Sequence, residues 1–223
     1  MKERLKILVI IISLPILLYI LSLTKLQKYI PNLIEGSIVT LKVSVLGLIL
    51  FFIMSFLAGI ARGHFKGVTK WIAIIYIETF RGTSLLVILF WFFFVLPEFG
   101  ILLSPIAAGV LGLGLNYGAY GAEVVRGAIR SVTKGQKEAA IALNMTPNKY
   151  LRRIVVPQIF VITIPGLTNL AMELIKGTSL VAGITIGELT FAAMKLNGIF
   201  FQPIEVFGIA LLFYYFFAQF VRL

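Results

Sequence analysis

The chain has 223 residues, of which 60% are hydrophobic and only 13% charged, with a mean hydropathy of +1.03. A soluble domain carries about a quarter of its residues as charges, so this composition excludes a soluble enzyme, a disordered tail and a secreted disulfide scaffold. The absence of cysteine excludes disulfides, thiolate metal sites and a cysteine nucleophile, and the single histidine, His64, excludes a multi-histidine metal centre.

A membrane helix needs roughly 20 apolar residues. About six stretches meet this in whole or part: Leu5–Leu23, Ile38–Ala61, Trp71–Leu96, Ile101–Ala122, Pro157–Leu180 and Ile204–Val221. The first is followed by further spans and lacks a small-residue cleavage site, so it reads as a retained helix within a segment 1–30 rather than a signal peptide. Val181–Pro203 is apolar but interrupted by Gly183, Gly187, Gly198 and Pro203. It reads as a short helix and a re-entrant stretch, because broken backbone in a membrane must be covered by protein or water.

Net charge is +11, and every acid is a glutamate. In an apolar chain the excess is a matter of topology, not of nucleic-acid binding, because Lys and Arg collect in cytoplasmic loops. Lys2, Arg4 and Lys6 precede the first span, and Arg62, Lys66 and Lys70 separate the second from the third. Arg126, Arg130, Lys134, Lys137, Lys149, Arg152 and Arg153 separate the fourth from the fifth, and Arg222 follows the last. The opposite loops hold only Lys25, Lys28 and Lys195. Even alternation of spans reproduces this asymmetry and predicts an all-α polytopic membrane protein with both termini cytoplasmic.

Residues 123–157 form the long polar stretch. Glu138–Leu143 is rich in helix formers. Thr146 and Pro147 are suited to the N-cap and first position of a second short helix, with Leu151, Ile154 and Val155 on one face and a break at Pro157. The loop is either a solvated basic segment or a docking surface for a partner.

The pattern Glu138-Ala139-Ala140-x-x-Leu143-Asn144, then Ile154-x-x-Pro157, resembles the EAA loop of permease subunits in bacterial ABC importers. Asn144 stands where that family has Gly, and Asn is the other residue most tolerant of the left-handed region. Tyr76-x-Glu78-x-Phe80-Arg81-Gly82-Thr83-Ser84-Leu85-Leu86 is similar to the YxExxRGTPLL segment of the polar amino acid branch (histidine, glutamine and arginine type). Gly36-x-x-x-Thr40-Leu41, Asn116-x-Gly118-Ala119-Tyr120-x-x-Glu123-x-x-Arg126-Gly127, Gly135-Gln136-x-Glu138-Ala139-Ala140, Pro165-x-x-x-Asn169 and Lys176-x-Thr178-Ser179-Leu180 match its other patterns in order. Ala142–Thr146 and Glu173–Thr178 also look similar to permeases for ectoine and hydroxyectoine.

The resemblance implies a type I ABC importer permease fold, with a core domain at 31–223, a coupling loop near 130–157 and an extra N-terminal transmembrane helix at 1–30. It implies a transport subunit without enzymatic activity or cofactor of its own, in the bacterial inner membrane. No G-x-x-x-x-G-K-[ST] loop is present, so ATP and Mg would be held by two partner ATP-binding subunits. A second permease, identical or sibling, and an external or periplasmic solute-binding protein complete the implied assembly. The coupling residues carried over are Gly135, Gln136, Glu138, Ala139, Ala140, Leu143, Asn144 and Met145.

Charges inside spans are costly and point to function. Glu78 with Arg81, and Glu173 with Lys176, stand at i, i+3 and can pair on one helical face. They are either staples between helices or the lining of a path for a zwitterionic solute. Asn116, Tyr120, Asn169, Thr178 and Ser179 are the other candidate path residues, with helix–helix hydrogen bonding the commoner role for the two amides. Gly114-x-x-x-Gly118 predicts close helix packing, and Phe90–Phe94 a lipid-facing or interfacial aromatic run. An ion-gradient-driven transporter is the competing function class; a membrane enzyme has poor material here.

Overall fold

The computed structural model describes residues 27–222. The expected first span, Leu5–Leu23, lies outside the described residues. The rest is helical: α1 (Ile30–His64), α2 (Val68–Gly82), α3 (Leu85–Phe90), α4 (Pro105–Ser131), α5 (Lys134–Ala142), α6 (Pro147–Tyr150), α7 (Val156–Gly177), α8 (Leu189–Phe200) and α9 (Pro203–Arg222). Among the described residues, three helical runs are long and apolar enough to cross a membrane: α1, the continuous run Pro147–Ile184 and α9.

The helix α4 is the centre of the bundle, in contact with α1, α2, α3 and α7. At 27 residues it is long enough to span, though its glycines, tyrosines and Asn116 make it less apolar than its neighbours. These glycines set its packing against α1. A Cβ on Gly118 would lie 2.7 Å from the Met54 Cβ, and one on Gly121 2.0 Å from the Ser55 Oγ. Close backbone approach is what small residues give helices in lipid, where hydrophobic burial supplies little drive. Phe51, Leu89, Leu113, Leu174 and Ile184 fill the main core. A second cluster, with Leu33, Leu189, Leu196, Val206 and Ile209, binds α8 and α9 to the start of α1.

Three sequence expectations are corrected. The segment Trp71–Leu96 is not one straight helix: α2 stops at Gly82, and the chain turns through 106° before continuing as Leu85–Phe99. Gly82 weakens the helix, and Thr83 and Ser84 are extended, with ψ 142° and 133°. The polar stretch from 123 opens as helix and not as loop, since α4 runs on to Ser131. Pro157 does not break the chain before the fifth span, because α6 passes into α7 through a widened π-helical turn at Leu151–Val155. The wide turn relieves the clash of the Pro157 ring with the preceding carbonyls and tolerates its missing N–H. A matching wide turn, Trp91–Val95, precedes Pro97. It rotates the aromatic run so that Phe90, Trp91 and Phe94 are exposed while Phe92 and Phe93 pack on the core.

Candidate functional site: a polar seam and a projecting helix

The break after Gly82 leaves the last carbonyls of α2 without helical partners, and each needs a partner from elsewhere. Side chains meet three of them. Thr83 donates to the Thr79 carbonyl (2.9 Å), Asn116 Nδ2 to Phe80 (2.6 Å) and the Tyr120 hydroxyl to Arg81 (3.3 Å). Asn116 and Tyr120 thus hold the broken end of α2 on α4. They also line a cavity of about 360 Å³ with Thr83, Ser84, Tyr117 and Glu173. The Tyr117 hydroxyl donates to the Glu173 carbonyl (3.1 Å), which closes the α7 side.

The charges do not pair as the i, i+3 spacing suggests. Glu78 pairs with Arg62 of α1 at 2.8 Å, and Arg81 lies 3.9 Å from Glu123 of α4. Glu123 is the hub: Arg62 approaches it at 3.0 Å and Arg126 grips it with a forked set of bonds at 2.5–3.0 Å. One carboxylate is therefore shared by arginines from three helices, and Arg81 also lies 5.4 Å from the centre of the Tyr120 ring. Glu173 and Lys176 do not pair among the described residues. Together with Asn169 they form an exposed polar row on α7, at the i, i+4, i+7 spacing of one helical face.

Of the nine path candidates, the structure gathers Asn116, Tyr120 and Glu173 around the cavity, with Arg81 beside Tyr120. Glu78 is drawn away to Arg62. Thr178 is fully buried, its hydroxyl bonded to the Ile175 carbonyl (2.6 Å), and Ser179 bonds Lys176 in the same way (2.9 Å). Both hydroxyls close the end of α7 where it tightens into a 3₁₀ turn, and neither lines the cavity.

Sequence reasoning missed Glu123 as the hub and Glu188 altogether. Glu188 is fully buried between α1, α8 and α9. Its carboxylate accepts from the Phe191 amide (2.9 Å), the Tyr214 hydroxyl (2.5 Å) and the Thr40 hydroxyl (3.4 Å). An acid in so apolar a stretch was the signal available.

At the basic end of the bundle, α5 stands clear of the other helices. Gly135, Gln136, Glu138, Ala139, Leu143 and Asn144 are exposed, Ala140 is buried and Met145 half-buried. Ile141 is 63% and Leu143 75% exposed, a large apolar surface for so short a helix. The helix ends in a Schellman turn: the Met145 amide donates to Ala140 and the Asn144 amide to Ile141, both at 2.9 Å. Asn144 takes φ 53°, the left-handed conformation its residue type tolerates. Thr146 then caps α6 through the Lys149 amide (3.4 Å), with Pro147 at the first position. Gln136 is tied to Gln158 of α7 (2.9 Å), which fixes how α5 projects.

Residues 55–222 match the family described as binding-protein-dependent transport system inner membrane component. The chain is 43% identical over 195 residues to a probable amino-acid ABC transporter permease protein of Sinorhizobium fredii, covering 85% of this chain and 82% of that one. It is 36% identical over 187 residues to the glutamine transport system permease protein of Escherichia coli K12, covering 83% and 85%. Its fold is similar to the crystal structure of an amino acid ABC transporter with histidines, with a TM-score of 0.80, 30% identity, and 89% and 92% of the two chains covered. The projecting helix, the helix broken after Gly82 and these likenesses agree: the chain belongs to the binding-protein-dependent inner membrane component family, as the permease subunit of an ABC importer.

Proposed function

We propose that the chain forms, with a second permease subunit of the same or a sibling kind, the path of a polar amino acid or a related zwitterion such as ectoine through the bacterial inner membrane. Two ATP-binding subunits, which hold the ATP and Mg, dock on α5, and an external solute-binding protein delivers the cargo. The observation that carries this reading is the projecting helix α5, whose Ile141 and Leu143 are exposed beside Glu138 and whose end is fixed by the turn at Asn144. An exposed apolar pair with a charge beside it suits a groove on a partner, and closure of that partner would rock the bundle and alternate access to the polar seam.

The exposed row Asn169, Glu173 and Lys176 supports a shared path. In lipid such a row is costly, whereas a second permease would cover it and enclose a polar channel. Glu173 offers a carboxylate to the solute ammonium, and Arg81 a guanidinium to its carboxylate. The end bearing α5, Arg130 and Lys134 is then cytoplasmic, as are both termini. Family membership gives the ion-gradient reading no support.

The test is co-purification from gently solubilised membranes, with uptake measured in proteoliposomes. Wild type should bring down an ATP-binding subunit and take up solute only with ATP, and Glu138→Lys should lose both. Full ATP-driven uptake by Glu138→Lys would defeat the docking assignment.

A further inference from the structure

Two formal charges on the outer face of α7 find no opposite charge among the described residues. Ile162, Pro165, Asn169, Glu173 and Lys176 follow one another at three- and four-residue steps, which keeps them on one side of the helix, and all are exposed. Leu180, also exposed, follows one turn beyond. The row is apolar at both ends and polar in the middle, with one carboxylate and one ammonium. Neither Glu173 nor Lys176 makes an ion pair among the described residues. The Tyr117 hydroxyl, midway along the 27 residues of α4, donates to the Glu173 carbonyl. The two charges therefore stand at mid-height of the central helix, beside its apolar stretch.

At that height acyl chains are a costly cover for a charge, so a protein surface has to lie over the row, and the signs specify which. A row of one sign repels its own copy and requires a different chain of opposite sign. This row carries one charge of each sign and is complementary to itself, as a two-fold interface demands. Two copies inserted alike in one membrane have their two-fold axis along the membrane normal, and their α7 helices run in the same direction. Equal residue numbers then face each other across the axis. Glu173 and Lys176 differ by three residues, about 4.5 Å of rise. Side chains bridge that step within one helix and bridge it equally between two.

We propose that the second permease is a second copy of this chain seated on this face, with Glu173 of each copy paired to Lys176 of the other. The four charges alternate around the axis and cancel, and the apolar ends of the two rows meet on either side of them. Glu173 and Leu180 also border the cavity of the polar seam, so the second copy closes that cavity and brings Lys176 to it. While the path is empty this lysine holds Glu173; a solute ammonium takes its place on the carboxylate. The pairing rests on the shared path proposed above and adds to it the identity of the partner and a contact that a cationic group releases.

The test expresses the chain with two different affinity tags in one cell, together with its ATP-binding and solute-binding partners. Complexes are isolated in mild detergent through both tags in succession, and every band is identified by mass. Wild type should yield complexes bearing both tags. Glu173→Lys in both copies crowds four ammonium groups, and Lys176→Glu in both copies crowds four carboxylates. Each should cut the doubly tagged yield by at least about tenfold. A copy with Glu173→Lys expressed beside a copy with Lys176→Glu restores opposite signs across the axis, although neither can form a pair within itself. This mixture should recover the yield, which no pairing within one helix can do. Singly tagged wild-type complexes that contain a different permease and still take up solute with ATP overturn the second-copy assignment and leave the importer reading standing. Doubly tagged wild-type complexes without rescue in the mixture overturn the contact between Glu173 and Lys176. Wild type that brings down no ATP-binding subunit overturns the importer reading, and the pairing with it.

Discussion

The Glu123 carboxylate lies 3.0 Å from the Arg62 guanidinium, tying α4 to α1 close to where both helices leave the apolar region. Arg81 and Arg126 face the same acid. Removing one acid therefore strands several cations at once. Glu123→Gln should destabilise the protein by about 1–3 kcal/mol, because a partly buried charge without its partner costs more than the pair itself gained. Glu78→Gln, whose side chain is 58% exposed, should cost under about 1 kcal/mol. Thermal unfolding in detergent compares the two, and equal losses would remove Glu123 from its central place.

Gly121 and Gly127 lie less than two turns apart on α4 and should respond oppositely to the same change. A Cβ at Gly121 meets Ser55 and the Phe51 ring, while one at Gly127 meets nothing within 4 Å. Gly121→Ala should cost about 1–3 kcal/mol through overpacking, and Gly127→Ala should be neutral or gain up to about 1 kcal/mol in helix propensity. Melting temperatures of the two variants, purified alike, decide the matter.

Glu188 caps α8 and receives Tyr214 from α9 and Thr40 from α1. Glu188→Leu leaves the Phe191 amide uncapped and takes one partner each from Tyr214, which keeps Thr190, and Thr40, which keeps the Gly36 carbonyl, and should cost about 1–3 kcal/mol. Glu188→Gln keeps an acceptor and should cost less. If Tyr214→Phe loses as much in a Glu188→Leu background as in wild type, the two residues are not coupled.

Asn144→Gly should preserve the left-handed turn and leave uptake intact. Asn144→Val, β-branched at φ 53°, should strain the turn by about 1–3 kcal/mol. The strain falls on an exposed segment, so the predicted signature is lost ATP-dependent uptake with a bundle melting temperature close to wild type. A parallel fall in both would place the damage in the fold instead.

The sequence made the helical class legible, because long apolar runs in lipid have few alternatives to helix. It also made the α5 turn legible, because capping is local: Asn144, Thr146 and Pro147 act within a few residues of themselves. The break at Thr83–Ser84 was hidden by apolar residues on both sides, although Gly82 and two hydroxylated residues marked it. Pairing was not legible. Glu78 and Arg81 are neighbours along one helix, yet each is claimed by a residue on another, and spacing along one helix cannot register competition across helices. The passage through Pro157 was misread for a related reason. A proline predicts a break only if the turn before it is an ordinary one, and the π-type turn there is set by the packing of Leu151 and Val155 under α4.

That continuous passage has a mechanical meaning. From Pro147 to Ile184 the backbone is an unbroken helical rod of 38 residues, about 57 Å if uniformly α-helical. Thr146, at the elbow of α5, stands at one end, and Glu173 and Lys176 lie near the other. A loop between them would dissipate motion as bending; a rod transmits it as tilt. The wide turn at Leu151–Val155 and Pro165 are the points where such a rod can yield, so under the proposed function lengthening or shortening that turn by a residue would change the phase between the proposed docking and solute ends without touching either.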